Sequence, residues 1–348
     1  ADGSGHTLGI SAVAAATALI AAVITLLMGL WANHPFGLAA GLGVNALLAI
    51  TIATTPELTW PEVMGLVVVA GLVMVLLVLT GFRTAVFRAV PDAIKTGIVV
   101  GIGFFITLIG LVNAGFVRRI PDEAGTTVPL GLGIDGELSG WPVLVFVIGL
   151  ALTAILVVRQ IRGAILIGIV ISTILANILE GVFHIGPSVD DAGNVNPEGW
   201  SLVAPSMPGW SAPDLSLLGN VSLGAVSSIG SVATALLVFA ILLSVFFDAM
   251  GTSVGLAREA GNVDDVGNIP NLDRVLLVDA HGVTAGGAGS ASSTQIFVES
   301  GTGIGEGART GFASLITGVL FLAAMFLTPL IYLVPFEAVA PALVIVGF

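Results

Sequence analysis

The sequence predicts an all-α, polytopic membrane protein carrying two short, partly extended breaks at membrane depth, and three observations predict it. Of 348 residues, 56% are hydrophobic and 9% charged, with a mean hydropathy of +1.09, against roughly a quarter charged in a soluble domain. The apolar residues fall into runs of about 20, the length a helix needs to cross the hydrocarbon core. Disorder is excluded by the same hydrophobicity. Two further segments are apolar but short, and glycine or small polar residues interrupt them. Cysteine is absent, which excludes disulfides, thiolate metal sites and cysteine nucleophiles.

In chain order, the apolar runs place spanning helices at 8–31, 62–81, 96–116, 141–158, 164–185, 229–256, 273–288 and 310–334. The opening ADGSGHTLGI lacks a basic n-region and reads as an excised start rather than a signal peptide. The last apolar run is about 11 residues long, short of a span, so the C-terminus reads as cut as well. The two odd segments are FGLAAGLGVNALLAITIAT (36–54) and GSASSTQIFVESGTGIG (289–305). Backbone that leaves helical geometry in a bilayer finds its hydrogen bonds in protein or in a water-filled cavity, because lipid offers none. A pair of such segments therefore points to one transport site, here at Gly41–Asn45 and Ser290–Ser300.

If every segment crosses, Arg83, Arg88, Lys95, Arg159, Arg162, Arg258, Arg274 and Arg309 fall on one side, and Arg118 and Arg119 on the other. The positive-inside rule makes the first side cytoplasmic. The acids mirror this: Asp122, Glu123, Asp135, Glu137, Asp190, Asp191, Glu198 and Asp214 lie in two long outward loops and read as solvated surface. The stretch Phe82–Gly97 spaces its three basic residues like an interfacial helix.

A charge at membrane depth costs about 2.5–3.5 kcal/mol on insertion scales, so each one there needs a role. Glu299 follows a run of small polar residues and sits beside exposed amides. Asp248, in LLSVFFDAMGTSVGL, shares a helix face with Thr252 one turn on. Both read as functional. Asp279 reads as a structural partner of another helix, Glu180 and Glu306 as solvated, and the lone His34 and His281 as packing residues without metal-ligand spacing. GLGVN and GTGIGEGARTG lack the context of nucleotide loops, and GTSVG lies on a continuing helix rather than a strand-to-helix elbow. No catalytic centre, metal or nucleic-acid partner is expected.

With those residues in place, LLMGLWANHPFGLAAGLGVNALLAI, VPDAIKTGIVVGIGFFITLIGLVNAGFV, FFDAMGTSVGLAREAG, VLLVDAHGVTAG and FVESGTGIGEGARTGFAS resemble the nucleobase:cation symporter-2 family. The likeness is to its azaguanine-type hypoxanthine/guanine/adenine permease branch and runs through nearly the whole chain. It implies two inverted seven-helix repeats with core and gate domains, of which this chain holds about ten of fourteen segments. On that template 1–348 is one transporter domain, core-type over 8–116 and 223–310 and gate-type over 141–185 and 311–348. The resemblance further implies import of a purine nucleobase with a proton, sodium being the alternative ion. It also implies a homodimer in the plasma membrane and no cofactor.

The family's acids in its eighth and tenth segments match Asp248 and Glu299, and its third-segment asparagine matches Asn45, with Ala46 beside it. A carboxylate can accept from a ring N–H and an adjacent exocyclic amine at once. On this reading Glu299 holds the base, Phe297 and Phe247 stack on it, Thr252 lines the site, and Asp248 carries the coupling proton. Two departures stand out: Val245 where the branch carries a first acid, and SASSTQIFVES where relatives read closer to GTSTVTTYIES. They leave xanthine or uracil open as cargo. A sulfate/bicarbonate-type anion transporter of related fold is a further alternative, opposed by acids rather than bases at the broken segments.

Overall fold

The computed structural model describes residues 2, 4–119, 130–134, 136–189, 194–201, 204–206, 212–264 and 269–347. Asp122, Glu123, Asp135, Asp190 and Asp191 lie outside them. Helix α1 (Ile10–Leu27) runs on through a π-helical turn (Met28–Ala32) and stops at Asn33, which adopts a left-handed conformation. Strand β1 (Leu38–Ala40), α2 (Leu42–Thr54), α3 (Trp60–Leu79), α4 (Phe82–Ala89) and α5 (Asp92–Asn113) follow. Next come β2 (Val117–Arg119), β3 (Leu130–Leu132), α6 (Trp141–Val158), α7 (Ala164–Phe183), α8 (Ala225–Ile229), α9 (Ser231–Glu259) and α10 (Leu272–Ala288). Strand β4 (Thr294–Ile296), α11 (Ser300–Gly305), α12 (Gly311–Met325), a 3-10 turn (Thr328–Leu333) and α13 (Phe336–Gly347) complete the order. Seven of the eight expected spans are helices within a few residues of their predicted bounds; the eighth, 310–334, is an α-helix only over Gly311–Met325 and then passes into the 3-10 turn. Among the described residues, six helices are long and apolar enough to cross a membrane.

The chain divides into two compact units: Ala1–Val99 with Ser211–Thr328, and Val100–Trp210 with Pro329–Phe348. This division departs from the expected segments at two places. Most of α5 groups with the second unit, and α12, expected on the gate side, groups with the first. The reason for α12 is direct: a Cβ on Gly29 would stand 2.6 Å from the Gly311 carbonyl, so α1 and α12 touch backbone to backbone. In lipid, where burying apolar surface drives little, such small-residue seams are what hold helices together. A second seam joins α3 to α10, where a Cβ on Gly71 would lie 2.6 Å from the Thr284 amide.

Within the first unit, α3 begins at a capping box. Glu62 Oε2 accepts from the Thr59 amide (2.9 Å) and hydroxyl (2.8 Å), and Oε1 accepts from Ser228 of α8 (2.5 Å). The other end of α3 turns at Gly81 into α4, and there the structure corrects the sequence. Arg83 is not an interfacial cation; it is 1% exposed, and Nη2 pairs with the fully buried Asp279 of α10 at 2.7 Å. Its Nη1 also donates to the Leu276 carbonyl at 3.0 Å. The spacing of basic residues gave no warning, because the partner is nearly two hundred positions away.

In the second unit, α6, α7 and α13 pack on one another, α5 lies against α13, where a Cβ on Gly103 would stand 2.5 Å from the Gly347 carbonyl, and β2 pairs antiparallel with β3. Two acids here hold the segment after α7, from Ile185 to Ser201, in place. Glu180, expected to be solvated, accepts from the indole of the fully buried Trp200 (2.7 Å) and the Ile185 amide (3.1 Å). Glu337, 1% exposed, accepts from the Ser201 amide (2.8 Å) and hydroxyl (2.6 Å). Glu137, Glu198 and Asp214 are exposed, as expected of solvated surface.

Removing one member of a buried ion pair strands the other. Arg83→Ala is expected to lower stability by about 3–5 kcal/mol, and the paired change Arg83→Met with Asp279→Asn, whose side-chain carbonyl can still accept from the Ile296 amide, to restore part of it. Thermal unfolding in detergent micelles checks both; equal losses in the single and double variants would contradict the assignment.

Candidate transport site

The two broken segments meet. Strands β1 and β4 pair antiparallel with Leu38 opposite Ile296, Ala39 opposite Gln295 and Ala40 opposite Thr294. The pairing extends past both ends, from the Gly41 amide to the Ser293 carbonyl (2.9 Å) and from the Phe297 amide to the Gly37 carbonyl (3.2 Å). A two-stranded ribbon has two open edges, which side chains fill here. Thr25 Oγ1 of α1 accepts from the Leu38 amide (2.9 Å) and donates to the Leu38 carbonyl (3.1 Å). Asp279 Oδ1 accepts from the Ile296 amide (3.2 Å), and Ser300 Oγ from the Gly37 amide (2.9 Å). Each strand then feeds a short helix, β1 into α2 and β4 into α11.

Acids converge on this crossing from two helices and from the β4 segment. Asp248, half-buried on α9, accepts a hydrogen bond from Gln295 Nε2. Thr252, 3% exposed, donates to the Asp248 carbonyl at 2.8 Å and lies 3.4 Å from its Oδ1. Glu299 follows β4 directly, half-buried at the N-cap of α11. Asp279 of α10 also reaches the strand pair, where Arg83 already neutralises its charge. The crossing thus gathers carboxylates and the unpaired Gln295 Oε1, acceptors that suit a neutral ligand rich in N–H donors.

Sequence reasoning missed Gln295. It is 1% exposed, its Oε1 has no partner, and its side chain lies over Gly41, where a Cβ would come within 2.7 Å of its Cδ. An amide amid the serines of a broken segment was a visible signal, but its acid partner lies 47 residues upstream on another helix.

The other candidates scatter. Phe297 packs its ring against Gly37 and meets Phe321 edge-on at 6.4 Å. Phe247 is 44% exposed on the outward stripe of α9 with Leu243 and Phe239, and Ala46 is exposed on α2. Asn45, one turn into α2, lines a cavity of about 190 Å³ that neither Asp248 nor Glu299 lines. His34 stacks on Phe36, and its Nε2 lies 2.8 Å from the Pro270 carbonyl. Among the described residues, no group of three His, Asp or Glu side chains could hold a metal ion.

Helices of membrane-spanning length around two paired, helix-interrupting segments with acids at their crossing define a membrane transporter of the broken-helix class. The Permease family model (Xan_ur_permease) matches residues 3–348, and the chain belongs to this family, the nucleobase:cation symporter-2 group, whose members are transporters. It is therefore a multi-pass membrane protein.

A Methanocaldococcus jannaschii protein named as a permease is 35% identical over 342 residues, covering 97% of this chain and 70% of that one. The guanine/hypoxanthine permease PbuG of Bacillus subtilis is 33% identical over 336 residues (97% and 70%). The adenine permease AdeP of Escherichia coli is 33% identical over 337 (97% and 69%). Among solved structures, the transmembrane domain of a cyanobacterial bicarbonate transporter, BicA, superposes with a TM-score of 0.64 at 14% identity, covering 97% of this chain and 83% of that one. That likeness concerns the fold alone.

Because the Gln295 side chain occupies the space over Gly41, Gly41→Ala is expected to displace it from Asp248 and loosen the strand pair. Gly303→Ala, which meets nothing within 4 Å, serves as the control. Amide hydrogen exchange at Gly41 and Phe297 should accelerate in the first variant only; equal protection in both would show that the contact is dispensable.

Proposed function

We propose that this protein imports purine nucleobases, of the hypoxanthine, guanine and adenine type, by symport with a proton. The observation that carries the reading is the pair of half-buried acids at the strand crossing, Glu299 closing β4 and Asp248 tied to Gln295, in a chain whose relatives include guanine/hypoxanthine and adenine permeases. Glu299 is the base-holding group, since a carboxylate beside a helix start can take two donors from one edge of a flat base. Asp248 is the proton carrier, on the helix α9 that packs against α11, which Glu299 caps. Thr252 fixes the carboxylate's backbone. Phe297 lies two residues before Glu299.

The bicarbonate-transporter fold does not argue for an anion here, because acids at the crossing repel one. The imbalance of eight basic residues against two supports a cytoplasmic placing of the Arg83, Arg159 and Arg274 ends, in a plasma membrane. Assembly as a homodimer is part of the same proposal, with cross-linking in native membranes as its test.

Uptake of radiolabelled hypoxanthine, guanine, adenine, xanthine and uracil in transporter-deficient cells, with and without a protonophore, tests the function. Saturable purine uptake abolished by the protonophore is the expected result. No uptake of any base by protein that reaches the membrane would refute it. Glu299→Gln should weaken base binding by about 100-fold, the scale of a lost charge-assisted pair. Asp248→Asn should retain binding but lose accumulation driven by a pH gradient, and full gradient-driven uptake in that variant would remove Asp248 from the proton role.

A further inference from the structure

The first unit carries an open groove where the ends of α1, α3 and α10 meet. Trp31 lies in the π-helical turn after α1, Leu79 ends α3, Gly81 turns the chain into α4, and Asp273 and Arg274 belong to the first turn of α10. With Leu277 they line a space of about 400 Å³. Trp31 is 40% exposed, Leu79 is 69% exposed, and Asp273 and Arg274 are exposed as well, so the groove is accessible from outside the fold.

Its chemistry has two parts. Leu72, Leu76 and Leu79 are all exposed, and their i, i+4, i+7 spacing makes one apolar stripe along α3 that runs into the groove. On a spanning helix such a stripe faces acyl chains, which are as apolar as leucine itself. At the head of the stripe stand two opposite charges. Asp273 and Arg274 are neighbours in sequence, yet neither forms a salt bridge among the described residues. Asp273 Oδ1 accepts from the hydroxyl of the buried Thr84 at 2.6 Å, which fixes the carboxylate. Arg274 Nη1 donates to the Trp31 carbonyl at 3.4 Å, leaving most of the guanidinium's donors for a guest. The Trp31 indole itself suits the depth where aromatic side chains meet headgroups.

Stripe and charge pair together fit one molecule that has a tail, an anion and a cation. A soluble anion leaves the stripe bare and meets the Asp273 charge. An anionic lipid suits the stripe and Arg274 but is repelled by Asp273. A choline headgroup has both charges and no N–H to give the carboxylate; a primary ammonium has both charges and the donors.

We propose that this groove binds a zwitterionic phospholipid with a primary amine headgroup, a phosphatidylethanolamine. Its phosphate sits on Arg274, its ammonium on Asp273, and one acyl chain along Leu79 and Leu76. The lipid ties together the ends of three helices. Two of them brace the strand pair, α1 through Thr25 and α10 through Asp279, so the lipid steadies the frame of the crossing without touching it. In the orientation proposed above it belongs to the cytoplasmic leaflet.

Native mass spectrometry of the purified protein, titrated with phosphatidylethanolamine, phosphatidylcholine or phosphatidylglycerol of identical acyl chains, tests this. Phosphatidylethanolamine is expected to bind about 10-fold more tightly than either, the scale of one hydrogen bond to a charged group. Asp273→Asn, which can still accept from Thr84, should lose the preference over phosphatidylcholine, and Arg274→Gln should weaken all three lipids. Arg88→Gln, which removes an exposed cation of α4 outside the groove, should change neither. Soluble phosphoethanolamine at equal concentration should not displace the lipid. Equal affinity for the three lipids, or a preference that survives both groove substitutions at wild-type thermal midpoints, would overturn the proposal and leave ordinary annular lipid as the occupant. Displacement by phosphoethanolamine at equal concentration would overturn it in favour of a soluble guest.

Discussion

The structure depends on the hydrogen bonding of six residues of extended backbone at membrane depth. Strands Leu38–Ala40 and Thr294–Ile296 give up helical geometry where no water can repair the loss. They survive because each supplies the other's partners and because the Thr25 hydroxyl and the Asp279 carboxylate close the two edges. The surrounding helices are arranged to make that closure hold. Helix α1 brings Thr25, α10 brings Asp279, and Arg83 on α4 keeps the Asp279 charge compensated. The helices that brace the ribbon thus also confine its acids.

The same closure gives the crossing its chemical character. Asp279 is occupied by Arg83 and the Ile296 amide, which leaves Asp248 and Glu299 as the acids with capacity for a ligand or a proton. Gln295 holds one of them in place and is itself held by the absence of a side chain at Gly41. An acid in the membrane is expensive unless neutralised, paired or protonated. Asp279 takes the second route and is structural; Asp248 and Glu299 have no cation beside them among the contacts that hold the crossing. That difference, rather than mere depth, separates the acids proposed to work from the acid that holds the fold.

Much of the architecture was legible in the sequence because bilayer spans are a property of composition and length. Seven of the eight apolar runs became helices within a few residues, the last ended early at Met325, and the two interrupted runs became the paired strands. Legibility stopped where two distant parts of the chain had to meet. Arg83 reads as a surface cation by its spacing and is instead a buried ion-pair member. Glu180 reads as solvated and instead receives the Trp200 indole. Gln295, among serines and a threonine, carries no mark of its partnership with Asp248, and Asn45 borders a cavity distinct from the crossing.

By itself the sequence determined the membrane solvent, the order of the apolar helices, the position of the two breaks and the acids near them. Each of these follows from local hydrophobicity, or from a charge or glycine that interrupts it. The tertiary structure alone decided that the breaks pair in register, that Arg83 claims Asp279, that α12 joins α1 rather than the second unit, and that Gln295 reaches Asp248. The physical reason is that a buried polar group must find its partner wherever the chain brings one, and sequence separation says nothing about which will arrive.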